Sequence, residues 1–248
     1  LASVGDLGGN NNVSVGDVMW GVNITADQSS QFASFFSHMD ADAPGMYGSQ
    51  ARQCISTGLY NLIPETDSRL AWFRGQLEEE KGNSNTSYCQ LKFKMADYTT
   101  RTGDYIFMRA EEMVLIKAEA ECHQGLYGEA RATIKQLGDL RDSDFTERLG
   151  KRTDSKTYNE NTNAPLITLM DEILFQRRVE LWGEAGRIFD LQRLGLGYNR
   201  AYNGSNHTQT VQTKNTKAGS PLFILPLPQS EIDGNENITD ADQNPIVQ

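Results

Sequence analysis

Apolar positions in the best-patterned part of the chain recur at three- and four-residue intervals: Phe107, Ala110, Val114, Leu115, Ala118 and Cys122. That spacing puts them on one face of a helix. Gly125 is placed to end it in left-handed backbone. Ala130, Ile134 and Leu137 mark a second helix, so residues 105–141 are predicted to form a helical hairpin. The small residues at Ala118, Ala120, Gly128 and Ala130 suit the close packing of a tetratricopeptide unit. One such hairpin buries only one face, and stacks need about three repeats. Its outer face is therefore expected to be exposed or covered by a neighbour.

A second helical pattern covers residues 166–194. Thr168 and Asp171 form a start signal of the Thr-x-x-acid type. Met170, Ile173, Leu174, Arg177 and Leu181 follow on one face. Gly183 and Gly186 break or bend this helix, and Arg187 restarts it. Earlier in the chain, Asp17 to Val22 is the first predicted strand, and Gln31 to Phe36 one or two helical turns. Residues 40–48 read as a loop around Pro44, Gly45 and Gly48. Pro64 ends a short helix by Ile63, and residues 66–69 cap a further helical stretch holding Leu70, Trp72 and Phe73. Residues 1–16, 76–87 and 142–165 are predicted loops. Phe223 to Leu225 reads as a short strand leading into Pro226-Leu227-Pro228, with a turn-rich tail after Asn235. The fold class is mainly α, with a loop-rich region over residues 1–104 and a few short strands.

The chain has 248 residues, 23 Lys plus Arg against 33 Asp plus Glu, and a formal net charge of −10. Nucleic-acid binding needs a basic face to displace counterions, and this balance opposes it. It equally opposes a polybasic grip on anionic lipid. No apolar run approaches the ~18–20 residues of a membrane-spanning helix. Cys54, Cys89 and Cys122 are too few and too widely separated in sequence for a disulfide framework or a C-x-x-C metal site. An odd count leaves at least one free thiol. His38, His123 and His207 have no ligand-spaced partner, and no catalytic or phosphate-binding motif occurs. Asp40-Ala41-Asp42 and Asp240-Ala241-Asp242 lack the remaining positions of a calcium loop. No metal and no cofactor is expected.

Three blocks together resemble the C-terminal half of the SusD/RagB family, the nutrient-binding surface lipoproteins of Bacteroidetes. They are residues 109–120 (RAEEMVLIKAEA), residues 177–193 (RRVELWGEAGRIFDLQR) and residues 225–232 (LPLPQSEI), the last followed by Gln243-Asn244-Pro245. The second is close to the family pattern ERRxELxxEGxRxxDLxR. Gln176 stands where the family has Glu, and Ala185 splits the Glu-Gly step; these departures loosen one ion pair and one tight turn. The resemblance implies a single SusD-like domain whose N-terminal half and lipid anchor lie outside the sequence. Within it, residues 1–104 form the ligand side, 105–141 the hairpin, 166–194 the charged helix and 195–248 the tail. It also implies an outer-membrane surface protein that passes oligosaccharides or polysaccharides to a SusC-like TonB-dependent transporter, without catalysis. A tetratricopeptide-like scaffold binding a protein or peptide is the alternative. A glycosidase is a third reading.

The glycosidase reading would draw paired carboxylates from Glu180, Glu184 and Asp190. These acids stand among Arg177, Arg178, Arg187 and Arg193 at three- and four-residue spacings, which suits a structural ion network. Neighbouring arginines also lower a carboxyl pKa, whereas a catalytic acid needs it raised. Sugar binding instead uses flat aromatic faces with amide and charged partners. The candidates are Tyr47 first, then Phe36, Trp72, Tyr60 and Phe35, with Asn23, Asp27, Gln50 and Arg52 as polar partners. Trp182 is assigned to core packing.

Overall fold

A computed structural model describes residues 1–3, 5, 12–30, 32–79, 86–184, 186–217, 219–220 and 223–244. Among these are two strands and ten α-helices. The strands are β1 (Val18–Val22) and β2 (Tyr105–Arg109). The helices run α1 (Phe35–Met39), α2 (Tyr47–Gln50), α3 (Thr57–Tyr60), α4 (Ala110–His123), α5 (Tyr127–Arg141), α6 (Phe145–Gly150), α7 (Leu169–Glu180), α8 (Arg187–Arg193), α9 (Gln209–Gln212) and α10 (Gln229–Gly234). The chain divides into two compact units: Leu1–Asn159 with Asn163–Glu184, and Glu160–Thr162 with Ala185–Gln248. No described helix is long and apolar enough to cross a membrane.

In the first unit, α4 and α5 form the predicted hairpin, and α7 packs against both. The C-terminus of α4 is a Schellman motif: Gly125 has φ +79°, Leu126 N–H donates to Glu121 O (3.0 Å) and Gly125 N–H to Cys122 O (3.1 Å). The buried stripe of α4 is Glu111, Leu115, Ala118, Glu119 and Cys122. Phe107 does not belong to it. Residues 105–109 are strand, antiparallel to β1, with Val18 opposite Arg109 and Val22 opposite Tyr105. The tilted aromatic and β-branched run favours a pleated ribbon over a helical turn there. The hairpin's inner face is covered by α7 of the same chain, while Ile116, Leu126 and Leu140 stay exposed.

Helix α7 starts at the expected capping box: Thr168 Oγ1 accepts from Asp171 N–H at 3.0 Å. It is buried nearly all round, from Leu169 to Gln176 and at Val179 and Glu180, so its apolar surface is wider than one face. Residues 142–165 hold a helix that was expected to be loop. Phe145 and Leu149, one turn apart in α6, are buried, and the Phe145 ring lies where a side chain on Gly138 would stand (2.2 Å). Two apolar residues are too few for a periodic signal. Asp67 caps the 3-10 turn Ser68–Trp72.

Three further expectations change. Gly45, Pro44 and Gly48 do not keep Tyr47 out of regular structure, because Tyr47 begins α2. Leu225 is 85% exposed and no strand is formed at residues 223–225. The cysteines are not all far apart: Cys54 and Cys89 face each other in an antiparallel bridge. The positions Gln31, Glu80 to Asn85, Ala185 and Pro245 lie outside the described residues, as do most of residues 4–11.

The second unit holds α8, α9 and α10. Tyr198 and Thr216 form a bridge, and the Arg200 guanidinium lies 4.1 Å from the Tyr198 ring centre. Gln243 closes the tail by accepting from Leu227 N–H (2.7 Å) and donating to Leu227 O (3.0 Å).

Candidate functional site

The charged motif is a scaffold. Glu180 is fully buried and its carboxylate accepts from three arginines: Arg109 at 2.8 Å, Arg141 at 2.9 and 3.0 Å, and Arg69 at 3.1 Å. Glu184 takes a two-pronged grip from Arg109 (2.7 and 2.8 Å) and an ion pair from Lys92. The Lys92 ammonium also donates to Glu180 O (2.8 Å) and lies 4.5 Å from the Trp72 ring centre. The cations that hold Glu180 and Glu184 thus come from β2, α5, the 3-10 turn and the segment before β2. The motif's own arginines have other partners. Arg177 pairs with Glu112 (3.1 Å), while Arg193 (2.9 Å) and Arg187 (4.0 Å) pair with Asp190. Sequence spacing named the right bases for Asp190 and the wrong ones for Glu180 and Glu184, whose partners come from 39 to 111 residues away.

Burial alone would raise the Glu180 carboxyl pKa, but the arginines outweigh it and hold the group far below the usual carboxylate range. Glu184 is lowered for the same reason, by Arg109 and then Lys92. Neither group has a proton to give at neutral pH. Burial pushes Lys92 down to about 8 against the pull of Glu184. Gln176 does not leave a gap: its Oε1 accepts from Arg69 (2.6 Å) and its Nε2 donates to Glu172 (2.8 Å). Gly183 is required where it stands, since its φ is +77° and a side chain would meet the Phe93 ring at 2.5 Å.

The aromatic candidates separate into three groups. Tyr47 is 48% exposed, stacks on His38 (4.9 Å, 20°) and meets the exposed Phe32 (5.8 Å). Gln50 is exposed three residues on in α2. Arg52 donates to the backbone carbonyl of Ser49. Helix α1 carries His38 outward and Phe36 inward, where Phe36 packs with Ala43, Met46, Phe93 and Met95. Phe35 and Phe36 line a cavity of about 290 Å³ with Phe93, Asp104, Tyr105, Phe107 and Glu184. Asn23 donates to Asp104 at 3.2 Å, at the wall of this cavity. Asp27 accepts from Thr25 Oγ1 (2.5 Å) and closes an exposed turn. Trp72 and Tyr60 belong to another cluster. Trp72 is 1% exposed and presents no ring face to a ligand, and Tyr60 stands edge-on to Tyr88 (5.1 Å). Trp182 packs edge-on to Phe73 (5.2 Å).

The sequence candidates omit the exposed Phe32 and also an exposed pair on the ribbon. Trp20 and Phe107 meet across the β-ribbon at 5.0 Å, 61% and 53% exposed, and Phe107 reaches the cavity. Alternation in a strand at 105–109 would have separated Phe107 from the helical face. Asp40 is used structurally, accepting from Met95 N–H (2.8 Å), and Asp42 pairs with Arg74 and Lys94. Asp240 and Asp242 form a capped 3-10 turn. No cluster of three or more His, Cys, Asp or Glu suited to a metal occurs among the described residues.

The sequence profile of the SusD family matches residues 69–246. A SusD superfamily protein from Bacteroides thetaiotaomicron is similar in structure, with a TM-score of 0.70 and 24% identity over 99% of this chain and 52% of its own. A SusD-like carbohydrate binding protein from Bacteroides vulgatus gives a TM-score of 0.68 and 21% identity, over 99% of this chain and 53% of its own. The chain spans about half the length of these structures. No curated protein matches it. Buried charge motif, helical hairpin, capped central helix and profile all agree: this chain belongs to the SusD family.

Proposed function

We propose that the chain is part of a glycan-binding protein that holds oligosaccharides without cleaving them and passes them to a SusC-like TonB-dependent transporter at the outer membrane. The observation that carries this reading is the exposed trio of Phe32, His38 and Tyr47, with Gln50 on the same helical turn. A pyranose presents a C–H face to such rings and hydroxyls to an amide. The family and the carbohydrate binding relative support the ligand class. Transfer to a transporter rests on family membership. The absence of turnover rests on Glu180 and Glu184 being buried and held ionised.

Calorimetric titration with a panel of oligosaccharides, with chromatography of the same mixtures, tests the reading. It predicts saturable binding of at least one sugar with every sugar recovered intact. Product formation overturns the non-catalytic part. Binding to peptides with none to sugars overturns the ligand class.

A further inference from the structure

The sequence separates Cys54 from Cys89, but the fold sets them side by side. Ile55 N–H donates to Tyr88 O (3.0 Å), and Gln90 N–H donates to Gln53 O (2.9 Å). These bonds flank the two cysteines, which makes them a non-hydrogen-bonded antiparallel pair. In such a pair the Cα atoms are about 4.5 Å apart, inside the roughly 4.4–6.8 Å that a disulfide spans. The thiols are within hydrogen-bond reach of each other. Cys89 is also the middle of a three-segment ladder, since Arg74 N–H donates to Cys89 O (2.8 Å) and Leu91 N–H to Trp72 O (2.7 Å). It is fully buried, whereas Cys54 is half-buried and open to a small reagent.

We propose that Cys54 and Cys89 are a disulfide-forming pair, oxidised by exchange with a small-molecule disulfide. The Cys54 thiolate attacks one sulfur of the external disulfide, and its S–S bond breaks to release one thiolate. Cys89 then loses its proton and attacks the Cys54 sulfur, and the second external thiolate leaves. Two protein thiols are oxidised to one disulfide, one external disulfide is reduced to two thiols, and the two protons pass to those thiols. The order follows from access and from the protonation of Cys89, held by its bond to Cys54 and by burial. The bond would staple residues 53–55 to residues 88–90, beside Trp72 and the Lys92 end of the charge network. Cys122 is an internal control. It is buried, its Sγ faces Ser155 O at 3.5 Å, and burial pushes its thiol up to about 11.

The test treats the folded, reduced protein with oxidised glutathione, then alkylates, digests and maps it by mass spectrometry. The expected product is a peptide pair joined through Cys54 and Cys89, two hydrogens lighter than the reduced pair, with Cys122 unlinked. Tm should rise by about 5–10 °C and return on reduction. In Cys89→Ser, Cys54 should stop at the glutathione adduct. Three free thiols after treatment, a glutathione adduct on Cys54 of the unaltered chain, or a link through Cys122 would overturn the proposal. The mapping of the unaltered chain decides even if the variant does not fold.

Discussion

At the scale of single residues, aromatic type says less than exposure. Trp72, Tyr47 and Phe36 look alike in sequence as sugar platforms. Trp72 fills the core beside Ile55, Leu59, Ile63 and Val179, Phe36 packs beneath α1, and Tyr47 stands in solvent. Burial of Trp72 also positions the ammonium of Lys92 over its ring. Trp72→Ala should therefore cost about 3–5 kcal/mol of stability through the cavity it leaves. Urea unfolding checks this; a midpoint close to that of the unaltered chain would contradict the core assignment.

At the scale of elements, the charge network ties β2, α4, α5, α7 and the 3-10 turn through a few carboxylates. Glu180 and Glu184 have folded pKa values below the roughly 4.3 of an unfolded glutamate. The folded chain binds fewer protons there, so their contribution is complete above that value and is lost as pH falls through it toward the folded pKa. Glu111 runs the other way. Burial and the neighbouring Asp17 carboxylate raise its pKa against the pull of Arg109, so its contribution is present below the unfolded value and lost as pH rises through the folded one. Two lowered groups against one raised group predict net loss of stability from pH 5 to pH 3 from this network. Glu180→Gln should destabilise by about 3–5 kcal/mol at pH 7, since it leaves buried arginines short of an anion. Its stability should also fall less steeply with acid. Denaturant melts at pH 7, 5 and 3 measure both, and an acid limb of unaltered slope would contradict the account.

Legibility followed the range of the interactions. Gly125, the hairpin and the Thr168 cap could be read locally because each is decided within one or two helical turns. Helix α6 could not, since two apolar residues and a contact with Gly138 decide it. Strand β2 was read as helix because Phe107 fits a helical spacing until β1 is set beside it. The pairs of Asp190 with Arg187 and Arg193 were legible, whereas the arginines on Glu180 and Glu184 were not, as those partners meet only through the tertiary fold. The same holds for Cys54 and Cys89.

For the whole molecule, family membership gives the class, and the exposed rings are the ligand surface proposed above. The Phe32, His38 and Tyr47 surface lies on α1, α2 and the segment before them, above the cluster of Phe36, Met46 and Phe93. The ribbon pair Trp20 and Phe107 offers a second exposed aromatic surface. Truncating Tyr47 removes a ring face while leaving that cluster intact. The most direct measurement is calorimetric affinity of Tyr47→Ala for whichever oligosaccharide binds the unaltered chain, with Tm recorded alongside. The account predicts a loss of about tenfold in Kd, on the order of 1.4 kcal/mol, at an unchanged Tm; an unchanged Kd in a folded variant would contradict it.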